Sequence, residues 1–189
     1  MIRIGVVGDI GSGKTYVANN FGYPVFNADF EVSKIYKKDR KIFTKLNNKL
    51  PKHITKFPID KNEITNAILS NKKNLNKIKD IVHKEVRKKL NIFLKKNKNQ
   101  KIIILDIPLL MENKIYNKND VLVFVDSKKK EIDKRTKKRL NFNSKLLDIL
   151  KKKQFSPSYK KKKSHFIIKN TFTKKPVKNE IKTIINKIL

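Results

Sequence analysis

Residues 8–15 read Gly8-Asp9-Ile10-Gly11-Ser12-Gly13-Lys14-Thr15, the pattern G-x-x-x-x-G-K-[ST]. Its glycines let successive backbone N–H groups point inward around a phosphate. The lysine then reaches the β- and γ-oxygens of a nucleotide, and the last hydroxyl is a ligand for Mg²⁺. Such a loop needs a strand to deliver it and a helix to leave from it. Ile2, Ile4, Val6 and Val7 supply a short buried strand before it, and Lys14 to Asn20 reads as a helix after it. All five glycines, Gly5, Gly8, Gly11, Gly13 and Gly22, lie at the start of the chain. That is where backbone with positive φ, or backbone in close approach to a ligand, is required.

Working outward, Val25 and Phe26 predict a second strand ending near Asn27-Ala28-Asp29, and Phe30 to Lys37 a helix. Residues 39–98 carry apolar side chains at helical spacing, with breaks at Pro51 and Pro58. Residues 101–106 and 120–126 are continuous apolar runs of strand length, each ending in Asp, as in a parallel sheet covered on both faces. A helix over Ser127–Arg139, a Lys-rich stretch at 140–163, a last strand at 165–170 and a closing helix after Pro176 complete the reading. The alternation predicts an α/β fold of the P-loop NTPase class: a parallel five-stranded sheet flanked by helices. The chain is expected to be a single domain of 189 residues, with a helical insertion over about 38–100 and a lid over about 135–163.

Forty-eight Lys plus Arg against sixteen Asp plus Glu give a formal net charge of +32. An excess of this size raises a nucleic-acid hypothesis. Only Arg3, Arg40, Arg87, Arg135 and Arg139 are arginines, however, and Lys, Asn and Ile abound together, as in a compositionally drifted, AT-rich coding background. The excess is therefore read as solvated lysine rather than as a nucleic-acid surface, and each rare arginine becomes a candidate for bidentate work. Leu, Ile, Val and Phe make up roughly a third of the chain, enough to form a core.

Cysteine is absent, which excludes disulfides and thiolate metal sites, and His53, His83 and His165 are not spaced as zinc ligands. The longest apolar stretch, residues 102–111, is too short to cross a bilayer and contains Asp106 and Pro108. No membrane segment, a cytoplasmic location and a monomer or weak homo-oligomer are expected. Asn117-Lys118-Asn119-Asp120 matches the guanine-reading N-K-x-D by letter, but it precedes a strand rather than following one. No glycine follows Gly22 to supply a switch motif, so a GTPase is excluded.

Over nearly its whole length the chain resembles the dephospho-CoA kinases. That family opens with T-G-G-I-G-S-G-K-[ST], matched by residues 7–15, and continues with V-x-D-A-D, matched by Val25-Phe26-Asn27-Ala28-Asp29. L-H-P-x-[IV]-R is matched by residues 82–87, P-L-L-x-E by 108–112, and R-x-x-x-R by Arg135 and Arg139. Gln154 with Lys160 six residues on, and the late strand 164–170, complete the resemblance. Departures are Asp9 for a loop glycine, Asn27 for the first Asp of D-A-D, Lys84 for Pro, Leu140 for Asp, and Ser164-His165 for Ala-Asp.

The resemblance implies transfer of the ATP γ-phosphoryl to the 3′-hydroxyl of dephospho-CoA, the last step of coenzyme A synthesis, with Mg²⁺. It implies Asp29, Lys14, Arg135 and Arg139 as catalytic groups, and Gly8 through Thr15 (Gly8, Asp9, Ile10, Gly11, Ser12, Gly13, Lys14, Thr15) with Asn170 around the nucleotide. Thr15 would hold the metal with Asp106 behind it, while His83, Arg87, Pro108, Leu109, Leu110 and Glu112 would meet the acceptor. A nucleoside monophosphate kinase or other small-molecule kinase shares the loop and lid. A basic P-loop protein that binds nucleic acid is the non-enzymatic rival.

Overall fold

The computed structural model describes residues 1–138 and 142–189. Its elements are β1 (Ile2–Gly8), α1 (Lys14–Asn20), β2 (Val25–Asn27), α2 (Ala28–Lys38), α3 (Arg40–Lys49), α4 (Lys61–Ser70) and α5 (Lys73–Lys96). They continue with β3 (Ile102–Asp106), β4 (Val121–Asp126), α6 (Lys129–Lys137), α7 (Ser144–Lys151), α8 (Pro157–Lys163), β5 (Phe166–Lys169) and α9 (Lys174–Ile188). Several boundaries differ from the sequence reading by one or two residues, and two of the differences are informative. The chain passes from β2 into α2 at Ala28 with no intervening loop, and α9 begins at Lys174, before Pro176. A proline is accommodated in a first helical turn because its missing N–H would have had no intrahelical acceptor there.

All five strands are parallel, in the order β2-β3-β1-β4-β5. The register places Gly8 beside Val125 and Asn27 beside Asp106. The carboxyl ends of β1, β2 and β3 therefore lie together, and the phosphate loop leaves from the central strand. The apolar runs have the two-faced burial expected of a covered parallel sheet. Ile4, Val6, Ile102, Ile104, Val123 and Val125 pack with Val17, Ala18 and Phe21 of α1 and with Val177, Ile181 and Ile184 of α9. Alternation along the strands sends Ile103, Leu105, Leu122 and Phe124 to the opposite face, where they are also buried. Leu110 closes over that face. A Cβ at Gly5 would stand 2.5 Å from Leu110 Cδ2 and 2.9 Å from Leu122 Cδ2, so any larger residue there would have to displace these two leucine side chains.

The chain divides into two compact units. One comprises residues 1–27, 97–142 and 151–189 and holds the sheet. The other comprises residues 28–96 and 143–150 and is helical. Its own core gathers Ile35, Tyr36, Ile42, Leu46, Leu50, Ile54, Ile68, Ile78 and Val82, with Leu146 and Ile149 of α7 packed against it. Local signals set its helix starts: Asp39 accepts from Ile42 N and Asp60 from Asn62 N, capping α3 and α4.

The guanine-like Asn117–Asp120 stretch is a turn at the amino end of β4, away from the phosphate loop. Asp120 is 3 % exposed, accepts from Asn117 N at 2.9 Å and pairs with Arg3 at 3.0 Å. One of the five arginines is thus committed to neutralising a buried carboxylate. Losing one partner of a buried pair of this kind costs about 3–5 kcal/mol.

Candidate active site

The phosphate loop runs from Gly8 to the start of α1. Gly11 and Gly13 both have φ near 88°, a left-handed conformation that glycine adopts without penalty. Ser12 is fully buried, and Asn170 at the end of β5 donates its amide to the Ser12 carbonyl at 2.8 Å. The other end of the Asn170 side chain accepts from Phe172 N at 2.9 Å. Asn170, expected at the nucleotide, therefore has both ends of its amide engaged in holding the loop and the turn that follows β5. Ser127 adds a second donor to the Ser12 carbonyl, at 2.9 Å.

Lys14 Nζ donates to Gly8 O at 3.2 Å and to Asp9 O at 2.7 Å, so its charge stands over the mouth of the loop. The Thr15 hydroxyl donates to Asp106 Oδ2 at 2.6 Å, and Asn27 donates to the same oxygen at 2.6 Å. Asp106 ends β3 and is 4 % exposed. Burial pushes its carboxyl above the ordinary carboxylate range, opposed by the Thr15 hydroxyl, the Lys14 charge and the Asn27 amide. The departure at position 27 has a physical reading here: an Asp would face a buried carboxylate, whereas Asn supplies it with a donor.

Beside the loop lies a cavity of about 480 Å³ lined by Gly11, Gly13, Tyr16, Arg135, Lys138 and Phe172. The Arg135 guanidinium stacks 4.2 Å above the Phe172 ring, a cation–π arrangement. Phe172 itself sits at φ 63°, where a non-glycine residue is strained. The sequence resemblance implies Arg135 as a catalytic group and does not single out Phe172, since an aromatic shortly after a strand is a common signal. Arg139 and Leu140 lie outside the described residues. On the other flank of the loop, Asp9 and Ile10 share a second cavity, of about 470 Å³, with Ser127, Lys151, Gln154 and Phe155.

The expected acceptor residues fall in three places. Leu110 is 1 % exposed and belongs to the core under Gly5, while Pro108 is exposed and Leu109 has φ 57°. Glu112 is engaged inside the protein, accepting from Phe155 N and pairing with Lys160. His83 and Arg87 stand one turn apart on α5 of the helical unit. His83 is half-buried, and burial, then Lys79 and Arg87, lower its pKa below the ordinary histidine value of 6.5, with Asp80 opposing. The unfolded chain thus protonates this imidazole first. Stability held above pH 6.5 is expected to fall as pH drops through that value toward the depressed one. Melting at pH 7.5 and 5.5 checks this: His83→Gln should lose less on acidification than the wild type.

His165, which replaces an Asp of the family pattern, offers Nδ1 to the Leu122 N–H at 2.9 Å. Among the described residues no group of three or more His, Cys, Asp or Glu is arranged to hold a metal, and no helix is long and apolar enough to cross a membrane.

A phosphate loop on the central strand of this sheet, with a buried carboxylate from the adjacent strand against the loop hydroxyl, defines a P-loop NTPase. The dephospho-CoA kinase family model (CoaE) matches residues 2–175, and the chain belongs to the dephospho-CoA kinase family. Its reaction is the ATP-dependent phosphorylation of dephospho-CoA in coenzyme A synthesis. A dephospho-CoA kinase of Wolbachia pipientis wMel is 32% identical over 98% of this chain and 97% of its own length. One of Wolbachia sp. subsp. Brugia malayi (strain TRS) is 30% identical over the same shares. Among solved structures, TT1252 from Thermus thermophilus shares the fold with a TM-score of 0.78 at 22% identity, covering 100% of this chain and 98% of its own.

Proposed function

We propose that this chain transfers the γ-phosphoryl of ATP to the 3′-hydroxyl of the ribose of dephospho-CoA, with Asp29 as the base that receives the hydroxyl proton. The observation that carries the reading is the joining of the phosphate loop to Asp106 through the Thr15 hydroxyl, at the carboxyl ends of parallel strands where open α/β sheets take their ligands. Phosphoryl transfer is largely positioning and charge neutralisation. The amides of Gly8 through Thr15 hold the phosphate oxygens. Lys14, already at the mouth of the loop, turns its ammonium to the β- and γ-oxygens.

The donors beside the loop fit Mg²⁺, a hard cation that takes one or two protein oxygens and completes its shell with phosphate and water. Thr15 Oγ1 and Asp106 Oδ2 are such oxygens and stand together. When bound, the ion neutralises charge on the β- and γ-phosphates. The cavity beside Gly11 and Gly13, with the stacked Arg135–Phe172 pair as part of its wall, supports a place for the nucleotide base there. Asp29 lies in the first turn of α2, two residues past the strand residue that pairs with Asp106. The helical unit, with His83 and Arg87 on α5, offers the acceptor a neutral imidazole donor and a guanidinium.

The test is ADP release by the wild-type protein with dephospho-CoA, AMP, CMP and shikimate as acceptors. Turnover is expected with dephospho-CoA at a kcat/KM at least 100-fold above the other three. Turnover confined to a nucleoside monophosphate would replace this reading with that of the rival kinase class.

A further inference from the structure

The carbonyl of Gly8, the first residue of the phosphate loop, accepts from two ammonium groups, Lys14 Nζ at 3.2 Å and Lys160 Nζ at 3.3 Å. The two lysines are not equivalent. Lys14 is only half-buried at the start of α1, whereas Lys160 of α8 is 2 % exposed, the one lysine among the described residues to be buried. A buried ammonium needs a counter-charge. Glu112, itself 9 % exposed, supplies it at 3.3 Å. The same carboxylate oxygen accepts from Phe155 N at 2.9 Å. Gly8, Lys160, Glu112 and Phe155 thus form one polar chain from the loop entrance to the segment that leads into α8.

A lysine that serves phosphate oxygens has to release the carbonyls it holds. Lys14 would give up Gly8 O and Asp9 O, and the Gly8 carbonyl, buried at the end of β1, then needs another donor. Lys160 is pinned by Glu112 and stays. We propose that Lys160, neutralised by Glu112, is a positioning residue for phosphoryl transfer: it keeps the Gly8 carbonyl, and with it the entrance of the phosphate loop, in place while Lys14 serves the nucleotide. The inference rests on the role given above to Lys14. It gives Glu112 a part in the loop's geometry, acting through Lys160 and Gly8.

The experiment separates positioning from mere stability. Replacing a buried ion pair by apolar residues of similar volume often leaves stability intact, so Lys160→Met combined with Glu112→Leu removes the polar chain while filling its space. With melting temperature confirming a folded protein, kcat for dephospho-CoA phosphorylation is expected to fall at least tenfold, with KM for dephospho-CoA within threefold of wild type. Lys160→Arg, with Glu112 retained, should recover at least a third of the wild-type kcat. A folded double variant with kcat within tenfold of wild type overturns the proposal.

Amine-directed acetylation of the wild-type protein, with and without ADP, gives a reading that no variant's folding affects. Lys160 is expected to stay unmodified in both conditions, and labelling of Lys160 in the presence of ADP at the rate of exposed lysines overturns the proposal. The wild-type rate measured alongside separates the two questions. No turnover of dephospho-CoA by the wild type removes the functional reading, and the labelling pattern then decides on Lys160 by itself.

Discussion

Replacing Asp29 by asparagine is expected to lower kcat with dephospho-CoA by about three orders of magnitude, or about 4 kcal/mol of transition-state stabilisation, within the range measured for a lost general base. The substitution keeps size and helix compatibility, removing only the proton acceptor and its charge. Asp29 follows β2 directly in the first turn of α2, with no loop between, so the β2 end fixes its backbone. Nucleotide binding draws on the phosphate loop instead. The dissociation constant for ATP, measured by calorimetry, should therefore stay within threefold of wild type, and the melting temperature should hardly move. A kcat within tenfold of wild type would remove the base assignment and leave the family membership untouched.

The second large effect is expected at Gly13. A Cβ there would collide with the side-chain amide nitrogen of Asn170 and stand 3.2 Å from Phe172 Cε1. The backbone is also left-handed, at φ 88°. Relief would have to come from Asn170, which anchors the Ser12 carbonyl, or from Phe172, which lies beneath Arg135. Both border the phosphate loop. Gly13→Ala is expected to cut kcat/KM for ATP at least 100-fold, as a displacement of about 1 Å in a positioning element does. Gly22 is the control. It is also left-handed, at φ 76°, yet nothing lies within 4 Å of its would-be Cβ. Gly22→Ala should therefore cost only the backbone strain of about 1–2 kcal/mol, seen as a drop of a few degrees in melting temperature, with kcat/KM unchanged. Equal activity losses in the two variants would show that strain, and not the contact with Asn170 and Phe172, governs the loop.

Much of the fold was legible because its signals are local. The apolar runs ending in Asp106 and Asp126 are β3 and β4 almost to the residue, and the helical spacing through residue 94 belongs to α5. The boundaries that shifted did so for tertiary or end-of-helix reasons, as at Ala28, where α2 follows the strand directly, and at Pro176, which a first turn tolerates. The rare arginines have unlike fates. Arg135 lines the cavity beside the phosphate loop, whereas Arg3 is paired with Asp120 at the far end of the sheet. Rarity marked both alike, since it carries no information about which end of a strand a residue occupies. Lys160 was the reverse case: as one lysine in a run from 160 to 163 it gave no sign of burial, because its environment is set by Gly8 and Glu112, which are distant in the chain.

By itself the sequence determined the phosphate loop, the strands that carry it, the class of chemistry and the family, because glycine spacing, alternation and motif order are properties of neighbouring residues. Only the tertiary structure decided which side chains meet. Thr15 and Asn27 share the buried carboxylate of Asp106, Asn170 holds Ser12, Arg135 covers Phe172, and Lys160 joins Gly8 to Glu112. These partners are separated in the chain and are brought together by the strand order β2-β3-β1-β4-β5 and the segments packed beside it. In a sequence so rich in lysine and asparagine, composition does not distinguish Lys160 and Asn170, buried against the phosphate loop, from the many polar residues on the surface.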